Sequence, residues 1–269
     1  MPLNFTLSIV SHGHRADIRE LLQDLAQLSR SDFDVILTLN LPEELPLDLA
    51  TLPFQVKVLN NPTPKGFAAN HNAAFAYASA HHHGLYFVVL NPDIRLIGDP
   101  FPALLDYIND APRSICAPLV VNKAGQLEDS ARRFPTPLFL LKKLYIKLSR
   151  KQLPPDQIVE DDRALFPDWI AGMFIVIPQA TYQQLGGLSE RYHMYYEDVD
   201  FSLRAQLQGF QIVVVKGAQV IHEAQRDSHR KLRHLLWHLS SILRFFLSKG
   251  YLQWQLSGKA AQAEQRPHD

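Results

Sequence analysis

The run Gly84-Leu85-Tyr86-Phe87-Val88-Val89-Leu90 is apolar at nearly every position, where a strand with one wet face would alternate. A strand of this kind is buried on both faces, which places it at the centre of an α/β sheet covered by helices. The preceding sequence agrees. Residues 5–10 (FTLSIV), 34–40 (DVILTLN) and 56–60 (VKVLN) read as strands, and Ile18, Leu21, Leu22, Leu25 and Leu28 recur at helical spacing after the first. Strand, helix and strand at this spacing imply parallel neighbours joined by crossover helices. Ligands of such sheets bind beyond the carboxyl ends of the strands, so the polar residues that close strands are the functional candidates.

The central run closes at Asn91-Pro92-Asp93. A carboxylate on that tip is well placed to hold a divalent cation against a diphosphate, although Asn-Pro and Pro-Asp are also ordinary turn residues. Before it, Pro62 and Pro64 fix a turn, and Gly66 allows a close backbone approach to a ligand. A helix rich in Ala68, Ala69, Ala73, Ala74, Ala76 and Ala78 follows, carrying Asn70 and Asn72 near its start. Its free N–H groups suit a phosphate, and its small residues equally suit tight packing on the sheet. His81-His82-His83 reads as a solvated helix end, since adjacent helical residues point apart.

Residues 100–110 read as a short helix, 114–122 as a strand, 127–137 as irregular connection and 137–151 as a basic amphipathic helix. The acidic, Pro-broken stretch 153–167 reads as a mobile loop, 168–178 as one strand and 179–187 as a helix stopped by glycine. A carboxylate-rich loop then opens a helix: Glu197, Asp198 and Asp200 follow Tyr192, Tyr195 and Tyr196, and Asp200 stands four residues before Arg204. Acids at a helix start also offset its dipole with no chemistry involved. The crowding tyrosines favour a sugar-sized pocket in which one acid is a general base, with His222 as a metal ligand. Gly209 stops the helix, FQIVVV reads as a short strand, and a second short apolar run ends at His222. Residues 228–254 read as one long amphipathic helix, and the tail from Ser257 as disordered.

Composition narrows the classes. Lys+Arg and Asp+Glu both number 27, so net charge gives no reason to expect a nucleic acid partner. With 46% hydrophobic and 20% charged residues, the 269-residue chain buries a full core. A single cysteine, Cys116, in an apolar run reads as core and fits a reducing, cytoplasmic setting. The N-terminus lacks a signal-peptide pattern, and no segment reaches 18 uninterrupted apolar residues.

Taken in order, the first strand, KGFAANHNAAF, LNPDIRL, DWIAGMFIV, LGGLSERYHMYYEDVDFSLRAQLQGF and VIHE resemble the inverting family 2 glycosyltransferases. The similarity runs from about residue 5 to 235, and the nearest branch is the rhamnosyltransferase-like enzymes of bacterial surface polysaccharides. The resemblance implies a GT-A, Rossmann-like, mostly parallel sheet over residues 1–225, an amphipathic helical extension over 226–256 and a polar tail over 257–269. It implies Asp198 as catalytic base with Glu197 beside it, and Mn2+ or Mg2+ on Asp93 and His222. It implies donor contacts at Ser11, Asn40, Lys65, Gly66, Asn72, Asn91, Asp93, Trp169 and Gly172. The implied donor is a UDP- or dTDP-sugar of a hexose or deoxyhexose, and the implied acceptor a saccharide or polyprenyl-linked saccharide.

Two stations depart from the family. Ser11-His12-Gly13-His14 replaces Thr/Ser-Tyr-Asn, and the second strand ends in Asn40 where an acid that contacts the nucleoside is usual. The missing acid motivates an alternative expectation: a weak or inactive GT-A module that binds a nucleotide or a partner. A nucleotidyltransferase is disfavoured, because the first turn has no Gly-rich, basic triphosphate loop. The basic amphipathic stretches 137–151 and 228–250 suit either the inner, anionic face of a membrane or packing on protein.

Overall fold

The computed structural model describes residues 4–45, 47–81, 84–149, 156, 158–222 and 231–258. Strands β1 (Phe5–Ser11), β2 (Phe33–Leu39), β3 (Val56–Asn60) and β4 (Tyr86–Leu90) are parallel, in the order β3-β2-β1-β4. Beyond β4 the main sheet continues through β11 (Phe174–Pro178), β6 (Ser114–Val121) and β12 (Gln211–His222). β11 runs antiparallel to both β4 and β6, and β12 is parallel to β6. The closing ends of β1, β2, β4, β6 and β12 therefore share one edge, and β11 starts at that same edge.

Helices cover both faces. On one, α1 (Arg15–Ala26) buries Ile18, Leu21, Leu22 and Leu25, and α3 (Phe101–Asp110) buries Phe101, Leu104 and Ile108 against Phe5, Leu7 and Ile9 of β1. Each such side chain, fully buried, stabilises by roughly 1.5–3 kcal/mol. On the other face, β1 presents Thr6 and Ser8, because α2 (Phe67–Ala80) packs close through Ala68, Ala74 and Ala78. The Ser8 hydroxyl meets His71 Nδ1 at 2.8 Å, and burial lowers the His71 pKa to about 3, keeping the imidazole neutral. Cys116 is fully buried, as its apolar run suggests, and burial pushes its thiol up.

Several stretches fold differently from their sequence pattern. The expected mobile loop contains a hairpin, β8 (Val159–Glu160) and β9 (Ala164–Phe166), which extends the main sheet on β12. Asp161 caps its turn, accepting from the backbone N–H groups of Arg163 and Ala164 at 2.8 and 2.7 Å. Residues 150–155 and 157 of that region lie outside the described set. The single strand expected at 168–178 is two, because a turn at Ala171–Met173 separates β10 (Trp169–Ile170) from β11. β10 pairs instead with β7 (Ala131–Arg132), so the stretch expected to be irregular carries a strand. Conversely, the two short strands expected at 211–222 are one, with a bulge between Val215 and Gln219 absorbing the register shift.

The C-terminal stretch, expected as one helix, is two: α7 (Lys231–Phe246) and α8 (Lys249–Leu256). The Ser248 hydroxyl accepts from Tyr251 N–H at 3.1 Å and starts the second helix. Phe245, Tyr251 and Trp254 share a core with Val199 and Leu203 of α6 (Glu197–Leu207). Residues 82, 83, 223–230 and 259–269, which include two of the three consecutive histidines and most of the expected tail, are outside the described set.

Candidate active site

The shared edge gathers most of the sequence candidates. β5 (Ile94–Leu96) follows Asp93 and pairs antiparallel with the end of β12, setting His222 opposite Ile94. That register brings Asp93 Oδ2 to 3.1 Å from His222 Nε2. On the other side of the ring, Glu128 Oε2 lies 2.8 Å from His222 Nδ1. Burial opposes a charge on His222, but the Asp93 and Glu128 carboxylates outweigh it and raise the pKa to about 9. Sequence reading missed Glu128. It reaches the site because the turn after β6 folds back, with Glu128 N–H donating to Val120 C=O at 2.8 Å.

The chemistry of this group fits a divalent cation. Asp93 Oδ1 is buried with no hydrogen-bond partner, an oxygen that a cation would satisfy. A carboxylate gripping one ring nitrogen of a histidine orients the other toward a metal. Among the described residues no three His, Cys, Asp or Glu groups converge on one point. Asp93 and His222 could supply two protein ligands, and a nucleotide diphosphate supplies others in sites of this kind.

Asp198 and Glu197 open α6 under different conditions. Asp198 Oδ2 accepts from Gly172 N–H at 3.1 Å and Oδ1 from Val199 N–H at 2.8 Å. Burial raises the Asp198 pKa, while those two N–H groups and the Arg132 charge pull it back. Glu197 is 6% exposed and its Oε2 has no partner. Burial, then the neighbouring Asp198 charge, raise it to about 8. The two environments differ: burial and the Asp198 charge work against an anionic Glu197, while two backbone N–H groups and the Arg132 charge support Asp198 as an anion. Asp200, the third acid, is structural; it pairs with Arg204 at 2.7 Å and accepts from the Tyr192 hydroxyl at 3.2 Å.

A cavity of about 660 Å3 is lined by Glu128, Arg132, Trp169, Tyr195, Glu197 and Asp198 among others. Trp169 Nε1 donates to Arg133 C=O at 2.8 Å, and the Arg132 guanidinium sits 5.5 Å from the Trp169 ring centroid. Gly172 stands where a Cβ would lie 3.0 Å from the Phe67 ring, so its lack of a side chain lets the turn reach Asp198. The arginines of 131–133 carried no periodic or motif signal. The two-residue pairing of β7 with β10 is what delivers Arg132 to the Trp169 face.

The nucleoside-side candidates make contacts within the protein. Asn40 Oδ1 accepts from Lys65 N–H at 2.8 Å and Asn61 Nδ2 at 2.9 Å, while its Nδ2 donates to Lys65 C=O at 2.9 Å. Asn40 thus clamps the backbone of Lys65, whose side chain is exposed. Asn72, expected at the donor, has its amide filled within the protein. It donates to Leu188 C=O and Glu190, and accepts from the Tyr182 hydroxyl and Leu188 N–H. Gly66 makes its close approach to the chain itself, since a Cβ there would lie 2.6 Å from His193 C=O. Ser11 is buried and accepts from His14 N–H at 3.2 Å, and Asn91 N–H donates to Met173 C=O at 2.8 Å.

The profile of the family described as Glycosyl transferase family 2 matches residues 6–167. Rhamnosyltransferase WbbL of Escherichia coli (strain K12) is 27% identical over 252 residues, covering 91% of this chain and 93% of that protein. The N-acetylglucosaminyl-diphospho-decaprenol L-rhamnosyltransferase of Mycobacterium tuberculosis (strain ATCC 25618 / H37Rv) is 28% identical over 195 residues, 65% of this chain and 61% of that one. The fold is similar to that of GalNAc-T7, solved with UDP, GalNAc and Mn2+, with a TM-score of 0.66 at 13% identity over 100% of this chain and 52% of that chain. The mannosyltransferase PcManGT from Pyrobaculum calidifontis, in complex with GDP-Man and Mn2+, gives 0.59 at 13% identity over 91% and 65%. These two likenesses establish a GT-A fold and nothing finer.

Proposed function

This chain belongs to glycosyl transferase family 2, and on that premise we propose that it moves a hexose or deoxyhexose, rhamnose foremost, from a UDP- or dTDP-sugar with inversion. The acceptor is a saccharide or a polyprenyl-linked saccharide of cell-surface polysaccharide synthesis. The observation that carries the reading is the anchored Asp198 beside the buried Glu197 in a cavity that Glu128, the partner of His222, also lines.

The chemistry follows from those positions. Asp198 accepts the proton of the acceptor hydroxyl as its oxygen bonds to the sugar, and the bond from sugar to diphosphate breaks. Gly172 N–H keeps the carboxylate aimed while the proton arrives. Asp93 and His222 would hold Mn2+ or Mg2+, which neutralises the charge that develops on the departing diphosphate. Trp169 and Tyr195 offer aromatic walls to a sugar ring.

The reaction belongs on the cytoplasmic side of a membrane, where nucleotide sugars are made. No helix among the described residues is long and apolar enough to cross a membrane. Leu236, Leu239 and Leu243 of α7, with Leu138 and Leu141 of α4 (Pro137–Leu148), are each more than half exposed. That surface supports peripheral contact with the bilayer that carries a lipid-linked acceptor. Flotation with anionic liposomes tests this contact, and protein left at the bottom at low salt argues against it. The central test is transfer by Asp198→Asn: the reading requires loss of transfer with nucleotide binding intact, and full activity overturns it.

A further inference from the structure

Tyr195 and Tyr196 adopt left-handed backbone, with φ of 70° and 72°, and are the non-glycine residues with positive φ among those described. That conformation is disfavoured for a bulky L-residue, because Cβ crowds the following carbonyl oxygen. The pair immediately precedes Glu197 and Asp198, so it fixes the direction in which α6 and its acids leave the loop. Something outside the loop must hold it there.

One face of α7 does so. His234, His238, Ser241 and Phe245 recur at intervals of four, three and four, which aligns them along a helix. The Tyr195 hydroxyl and His234 Nδ1 share a hydrogen bond of 2.8 Å. The His238 ring lies 5.4 Å from Tyr195 and 5.6 Å from Tyr196, and Phe245 lies 5.4 Å from Tyr196. Ser241 Oγ donates to Met194 C=O at 2.9 Å, and Arg244 donates to Arg191 C=O. Side chains of a single helix thus grip the loop at Arg191, Met194, Tyr195 and Tyr196.

We propose that His234 is a positioning residue for transfer: by holding the Tyr195 hydroxyl it keeps the strained loop in the form that seats Asp198 against Gly172. The inference rests on the reading of Asp198 as the base. When Tyr195 relaxes to right-handed or extended backbone, the start of α6 turns and the Gly172 contact opens. The fold persists, because α6 remains packed through Val199 and Leu203 on the core shared with α8.

The experiment uses the full chain, with transfer kinetics and unfolding midpoints measured for His234→Ala, His234→Gln, Tyr195→Phe and the double variant H234A/Y195F. Each single loss of the hydrogen bond is expected to lower kcat about 10- to 100-fold. The donor KM and the unfolding midpoint stay near wild type, the double variant is no worse than either single, and Gln, which still hydrogen-bonds, recovers part of the rate. Undiminished kcat in His234→Ala overturns the proposal. So does a kcat loss that falls in step with the midpoint and is not recovered by Gln. Asp198→Asn separates the two failures: an active D198N removes the base reading, whereas an inactive D198N with a fully active H234A removes this inference alone.

Discussion

Asp93 and His222 are 129 positions apart, 222 minus 93, yet meet at 3.1 Å because the strand that follows Asp93 pairs with the last residues of β12. The contact is thus a product of sheet register, and the buried, partnerless Asp93 Oδ1 is its open valence.

Removing that valence gives the first prediction. A nucleotide at a hundredfold excess over its Kd stabilises the native state by about 2.7 kcal/mol, a midpoint rise of roughly 5–10 °C. Wild-type protein with UDP or dTDP is expected to show this rise in Mn2+ and little of it in EDTA. Asp93→Ala should behave as the EDTA sample does even with Mn2+ present. A metal-independent rise retained in the variant would show that Asp93 holds no cation.

Glu197 makes stability depend on pH in a calculable direction. Its pKa is raised from 4.5 to about 8 in the fold, so the unfolded chain releases this proton first as pH climbs. Its contribution to stability therefore declines between about pH 4.5 and 8, and Asp198, also raised, acts in the same sense. Glu197→Gln is expected to flatten this slope and to be the more stable form at pH 8. Urea unfolding at pH 5 and pH 8 measures it, and equal slopes for both proteins would contradict it.

Gly66 separates a backbone contact from a ligand contact. A methyl group there must displace His193 C=O, 2.6 Å from the Cβ position, and with it the loop that leads to the acids. Gly66→Ala is expected to destabilise the fold by about 1–3 kcal/mol and to reduce kcat. Wild-type stability combined with weaker nucleotide binding would return Gly66 to the donor site.

Asn40 stands where the family usually has an acid, and restoring that acid is expected to harm the protein. An aspartate would set a carboxylate oxygen against Lys65 C=O, where Asn40 Nδ2 now donates. Asn40→Asp should lose about 1–3 kcal/mol of stability without tightening nucleotide binding. Calorimetric titration with UDP and dTDP, beside thermal unfolding, decides between the clamp and a nucleoside contact.

What was legible in the sequence was what local pattern encodes. The apolar run at 84–90 revealed a buried strand near the middle of the sheet, and the strand ends pointed to Asp93 and His222. The i, i+4 pairing of Asp200 with Arg204 forms as its spacing implies. What stayed hidden depends on tertiary register. Glu128 arrives by a backward fold after β6, and Arg132 by a two-residue strand too short to leave a periodic trace. The full use of the Asn40 and Asn72 amides is equally invisible, because an asparagine that clamps a loop and one that binds a donor are the same letter. The leucines of α7 left membrane contact and protein packing open for a physical reason as well. Helical periodicity marks a face, but the face laid against the protein is the one bearing His234, His238, Ser241 and Phe245, while Leu236, Leu239 and Leu243 stay exposed.

That inverted helix matters to anyone trimming the protein for handling. Cutting the chain before α7 would discard its exposed leucines, but it would also strip Phe245, Tyr251 and Trp254 from the core they share with Val199 and Leu203. The same cut would remove the α7 contacts to Tyr195 and Tyr196, so one short deletion would open an apolar core and free the loop that precedes the acids.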